Sequence, residues 1–164
     1  MNESDYHPWA TAFDAGQEAR RRGDRKTGTE HLALALLAEP ELASVVGCGL
    51  ERARETLDAL DREALAAIGV DATLDAPPLA TLPRGDRPLR PSIRTLLRGR
   101  LRLTPAAKTV LRDSSKSMRR GHPHPGPQCV LARLLELQPP DPAAGLFAAI
   151  RIDRARVHQQ LSDA

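Results

Sequence analysis

Few residues in this chain are spaced for chemistry, and those that are point to binding rather than to bond-making. His122, His124 and Cys129 are of the types that hold zinc. Proline flanks His124 on both sides, however, and no second Cys-x2-Cys or paired histidine stands at metal spacing, so the trio reads as a rigid loop. Cys48 lies between glycines, and neither it nor Cys129 has a neighbouring His/Asp arrangement that would raise a nucleophilic thiolate. A phosphate-cradling P-loop needs Gly-x4-Gly-Lys followed by Ser or Thr; the nearest approach, Gly23 to Gly28 then Thr29, lacks the lysine. Paired carboxylates and Ser/His/Asp patterns do not stand out. The chain is expected not to be an enzyme and to carry no metal or cofactor.

Charge is the stronger signal. Residues 1–80 hold 8 Lys and Arg against 15 Asp and Glu, whereas residues 81–164 hold 16 against 6. Seven arginines fall between Arg84 and Arg102 with only Asp86 opposing them. Such a stripe can bind phosphates. No base-stacking aromatic is interleaved, so a solvated linker leaning on the acidic half is the preferred reading and nucleic acid is an unlikely partner.

The chain that must position these residues has 164 positions, 41% apolar but only 2% aromatic, so its core must be built from Leu, Ala and Val. No apolar run approaches the ~18 residues of a membrane span. Two cysteines and an acidic start predict a cytoplasmic protein with neither a disulfide framework nor a signal peptide.

Periodicity predicts an all-α chain. Helices are expected at about Tyr6–Arg22, Glu30–Glu39 with Thr29 as N-cap, Glu41–Val46, and Leu50–Ile68 with Leu50, Ala53, Leu57, Leu60 and Ala64 on one face. Five prolines between Pro77 and Pro91 mark a linker, after which Ser92 could cap a short helix to Leu101. Thr104-Pro105 starts a helix to Arg120, Pro127 one to Leu137, Asp141-Pro142 one to Ile150, and Asp153 caps the last, to Leu161.

An internal repeat organises these elements. A shift of 98 residues lays Arg21-Arg22-Gly23 over Arg119-Arg120-Gly121, Gly28-Thr29-Glu30-His31 over Gly126-Pro127-Gln128-Cys129, and Leu36-Leu37 over Leu134-Leu135. Beyond Pro139-Pro140 the offset becomes 102, which lays Leu50-Glu51-Arg52-Ala53-Arg54 over Ile152-Asp153-Arg154-Ala155-Arg156. The expected architecture is one domain over 1–164. About eight helices form two pseudo-twofold four-helix repeats, near 4–69 and 103–163, joined by a long Pro/Arg-rich linker near 70–102.

With these residues in place, the chain resembles the Clp N-terminal domain, the double-repeat helical module at the front of Clp-type AAA+ unfoldases. Glu18-Ala19-Arg20 and Gly28-Thr29-Glu30-His31-Leu32-Ala33-Leu34-Ala35-Leu36-Leu37 carry the first repeat's signature, and Leu103-Thr104-Pro105-Ala106-Ala107-Lys108 with Val110-Leu111 resembles the start of the second. In that family the domain recruits substrates and adaptors, and in some members it binds phosphorylated arginine at two equivalent pockets. The resemblance places those pockets at Ser4, Asp5 and Glu30, and at Thr104 and Gln128. Asp5 puts a carboxylate where an anion should sit, and Gln128 replaces a glutamate that would pair with the guanidinium, so weak or absent phosphoarginine binding is expected. Cyclic-peptide antibiotics that target the family bind near the aligned starts of the two first helices. There Tyr6 and Trp9 stand in for one aromatic, Leu103 replaces the other, and Lys108 is kept.

The resemblance therefore implies a free-standing protein- or peptide-binding module of the Clp protease system, acting as adaptor, decoy or regulator. Its expected partners are Clp unfoldase or protease components, their substrates and adaptors, or a cyclic peptide. Sequestration of such an antibiotic is one alternative function, and a nucleic-acid-associated regulator using Arg84–Arg102 is another.

Overall fold

The computed structural model describes residues 7–70, 102–119 and 126–162. Among these, eight α-helices and no strand are formed: α1 Trp9–Arg22, α2 Thr29–Leu37, α3 Pro40–Val46, α4 Leu50–Ala67, α5 Pro105–Arg119, α6 Pro127–Leu135, α7 Pro142–Ala149 and α8 Arg154–Ser162. Ser4, Asp5 and Tyr6, the expected helix at Ser92–Leu101, most of the linker, His122 and His124 lie outside the described residues.

Local chemistry sets most of the helix ends. Pro40, Pro105, Pro127 and Pro142 each take the first position of a helix, where the missing N–H costs nothing. Thr104 Oγ1 accepts the Ala107 N–H at 3.2 Å, Asp141 the Ala143 N–H at 2.9 Å, and Asp153 the Arg156 N–H at 3.0 Å. Helix α1 stops at Gly23, whose φ of 81° is left-handed, so the Asp24 N–H turns back to the Ala19 carbonyl at 2.8 Å.

Several boundaries depart from expectation. Helix α1 starts at Trp9 rather than Tyr6, directly after Pro8, whose ring disfavours helical backbone at the residue before it. Helices α2 and α6 end at Leu37 and Leu135, two residues early, short of Pro40 and Pro139. Thr29 is not the N-cap of α2. Gly28 precedes the helix, and the Thr29 hydroxyl instead donates to Asp141 Oδ1 at 2.8 Å, a charged acceptor that gives a stronger bond than a self-cap.

Helix α2 is the centre of the molecule. Every residue in it except Glu30 is buried, which suits an all-round apolar sequence to a core helix. It packs against α1, α3, α4, α5, α6 and α7, while α3 also packs on α8 and α4 on α7. The α1 face turned to the core is made of Ala12, Ala15, Gly16 and Ala19, small residues that let the neighbouring backbone approach closely. One apolar cluster draws on all eight helices, with Leu32, Leu34, Leu36, Leu131, Leu134 and Phe147 almost wholly enclosed. Burying each such leucine contributes roughly 1.5–3 kcal/mol.

Helix α4 is longer than its support. Ala53 and Leu57 are buried, but residues 61–70 are all exposed, including Ala64 of the expected packing face. Its 18 residues span about 27 Å, whereas α7, against which it packs, has 8 and spans about 12 Å. Two arginines tie α4 to α1. Arg22 on α1 donates to Asp58 at 2.5 Å, to Asp61, and to Asp24 at 3.3 Å. Arg54 on α4 donates to Glu18 on α1 and to Glu51, both at 2.5 Å. Burial works against both guanidinium charges, but Asp61, Asp58 and Asp24 around Arg22, and Glu18 and Glu51 around Arg54, outweigh it and hold both pKa values above the ordinary one.

Ahead of α5 the chain makes one β-like contact. The Thr27 N–H donates to the Arg102 carbonyl at 2.7 Å, and the Thr104 N–H donates to the Thr27 carbonyl at 2.9 Å. This clamp joins segments 76 positions apart and fixes where α5 begins relative to α2.

Candidate functional site

A groove of about 450 Å³ runs between the start of α1 and one face of α5. His7 and Trp9 form one wall; Lys108, Arg112, Ser115, Lys116 and Arg119 form the other. On a helix turning 100° per residue, Lys108, Arg112, Lys116 and Arg119 fall within an arc of about 80°, so four cations share one face. All four are exposed.

Those charges are weakly opposed. Asp113 is the one acidic residue of α5, and it lies 3.7 Å from Lys116 in an exposed pair that contributes little. Arg112 reaches the Thr109 hydroxyl at 3.5 Å. Among the described residues, Lys108, Arg112 and Arg119 form no salt bridge.

The opposite wall is held in place by hydrogen bonds. The Trp9 N–H donates to His7 Nδ1 at 3.3 Å and the Ala10 N–H to the His7 carbonyl at 2.7 Å, so His7 occupies the open end of α1 with side chain and backbone. Trp9 is half-buried and packs against the apolar core, leaving part of its indole to the groove. Ser115 donates its hydroxyl to the Leu111 carbonyl at 2.8 Å, leaving lone pairs that can accept.

Of the residues expected at a site, Trp9 and Lys108 are brought together in this groove. Leu103 is instead buried, its backbone paired with Thr27, and Thr104 is spent as the α5 cap. Glu30 and Gln128 line neither this groove nor a smaller one bounded by Arg20, Asp24, Arg25 and Arg102.

Glu30 faces inward to its own loop. Its Oε1 lies 2.9 Å from His31 Nδ1, the nitrogen that accepts the Gly28 N–H at 3.1 Å, and His31 Nε2 lies 2.9 Å from Asp24 Oδ2. His31 is fully enclosed and laces the 23–30 loop together. Gln128 occupies the first turn of α6, half-buried, and its Oε1 has no hydrogen-bond partner among the described residues. At the position aligned with His31, Cys129 donates to the Ser114 carbonyl at 3.4 Å and the Ser114 hydroxyl returns a bond to the Cys129 carbonyl at 3.5 Å. Burial pushes the Cys48 and Cys129 thiols up, the opposite of what a nucleophile needs. Among the described residues no cluster of His, Cys, Asp and Glu could hold a metal.

His7, Arg112, Ser115, Lys116 and Arg119 are the groove residues that sequence reasoning missed. The cations carried a signal in their four-residue spacing, but the denser Arg84–Arg102 run overshadowed it; of that run only Arg102 is described. Comparison of the chain with protein-family models, with curated proteins and with solved structures finds no match.

Proposed function

We propose that this chain is a non-enzymatic protein- or peptide-binding module of the Clp protease system, acting as adaptor, decoy or regulator, with the α1–α5 groove as its docking site. One observation carries the reading. Trp9 and Lys108, which the family resemblance singles out at the starts of two repeats, stand 99 positions apart yet wall a single groove. The two-repeat arrangement gains support from reciprocal packing, in which α3 of the first half meets α8 of the second while α4 meets α7. The aligned buried residues His31 and Cys129, each early in the helix after a Gly-led turn, point the same way.

A pull-down from cytosolic lysate with the tagged chain tests the reading. Recovery of Clp unfoldase or protease subunits is the expected result, and their absence contradicts it. The same two residues favour one second reading, capture of a cyclic peptide between indole and ammonium. A ligand that binds only the folded chain must raise its melting temperature, by about 2.7 kcal/mol of added stability at a hundredfold excess over Kd.

A further inference from the structure

We infer that the α1–α5 groove selects an acidic peptide segment in extended conformation, its carboxylates on the α5 cations and an apolar side chain against Trp9. This inference rests on reading the groove as a peptide site and adds the chemistry of the peptide.

Charge comes first. Lys108, Arg112, Lys116 and Arg119 present four positive groups to one groove, and among the described residues the acidic group paired with them is Asp113, 3.7 Å from Lys116 in an exposed pair. A cationic or neutral segment would leave them uncompensated. A carboxylate gains charge-assisted bonds, which the planar guanidinium of Arg112 or Arg119 can make in pairs.

Spacing comes second. Along the helix axis Lys108, Arg112 and Lys116 are about 6 Å apart, and Arg119 follows about 4.5 Å later. Alternate residues of an extended chain advance about 6.6 Å on one edge, so carboxylates two residues apart meet successive cations.

Nucleic acid is disfavoured by the aromatic supply. Single-strand channels stack successive bases on several rings. Among the described residues Trp9 supplies the groove's one large ring, while Phe147 is buried and Phe13 lies outside the lining.

Trp9 is the chain's sole tryptophan, so its fluorescence reports the groove directly. The folded chain is titrated with a blocked heptapeptide alternating glutamate with leucine, with its lysine–leucine counterpart, and with a short oligothymidylate. The expected result is a saturable Trp9 response to the glutamate peptide alone, weakened by salt. Arg112→Glu with Lys116→Glu should weaken it at least tenfold, Arg112→Gln with Lys116→Gln should weaken it less, and a change at the exposed Arg156 of α8, Arg156→Glu, should leave it unchanged. Equal binding of the lysine peptide, no response at low salt, indifference to both double changes, or a response to oligothymidylate alone overturns the inference. If peptide binding fails while Clp subunits are still captured, only this inference falls. If peptide binding holds without Clp capture, only the Clp reading falls.

Discussion

His31 shows how a single side chain settles a loop. Its fully buried ring accepts the Gly28 N–H and meets Asp24, whose carboxylate is partly exposed. Replacing it with leucine of similar bulk keeps the packing but leaves the Gly28 N–H unpaired, so His31→Leu is expected to destabilise the fold by about 1–3 kcal/mol in urea unfolding. The cysteines make a second residue-scale prediction. Both thiols are buried with pKa values raised above the ordinary 9.0, so the folded chain holds these protons more tightly than the unfolded chain. Their contribution to stability is intact below pH 9.0 and declines as pH rises past it, which alkaline melting curves should show and Cys48→Ala with Cys129→Ala should flatten. A thiol reagent at neutral pH should modify both only slowly until denaturant is added.

Among elements, α4 divides into a held half and a free half. Arg22 and Arg54 bind its first three turns, as far as Asp61, to α1, whereas residues 62–70 are exposed, with Ile68 72% exposed. Amide exchange should therefore be fastest in its last two turns and slow around Ala53 and Leu57. Arg54→Ala should cost about 1–2 kcal/mol, because its Glu18 partner is mostly buried while Glu51 is exposed. Removing Glu18 as well should recover part of that loss in a double-mutant cycle. Most of these elements were legible in the sequence. Pro40, Pro105, Pro127, Pro142 and Gly23 mark helix ends by backbone chemistry that acts locally, and the run from Leu32 to Leu37 announces a buried helix. The exposed end of α4 was not legible, because its apolar spacing continues past the point where its partner α7 stops.

At the scale of the whole molecule, the groove depends on a juxtaposition that no local pattern encodes. The Thr27 clamp on Arg102 and Thr104 places α5, and with it the cation face, across from the start of α1. A single bridge between segments 76 positions apart leaves no periodicity to read, so the sequence identified Trp9 and Lys108 but not the company they keep. Glu30 and Gln128 were legible as early-helix residues, yet their inward setting depends on His31 and on the α5–α6 packing. The central proposal is that a Clp partner docks in the groove walled by Trp9 and Lys108. Interferometry with the immobilised chain against purified Clp unfoldase and protease components tests it most directly. Saturable binding to the native chain, weakened at least tenfold by Lys108→Glu and by Trp9→Leu with helical content unchanged, is the predicted result. No binding by the folded native chain, or binding that both variants retain in full, would contradict it.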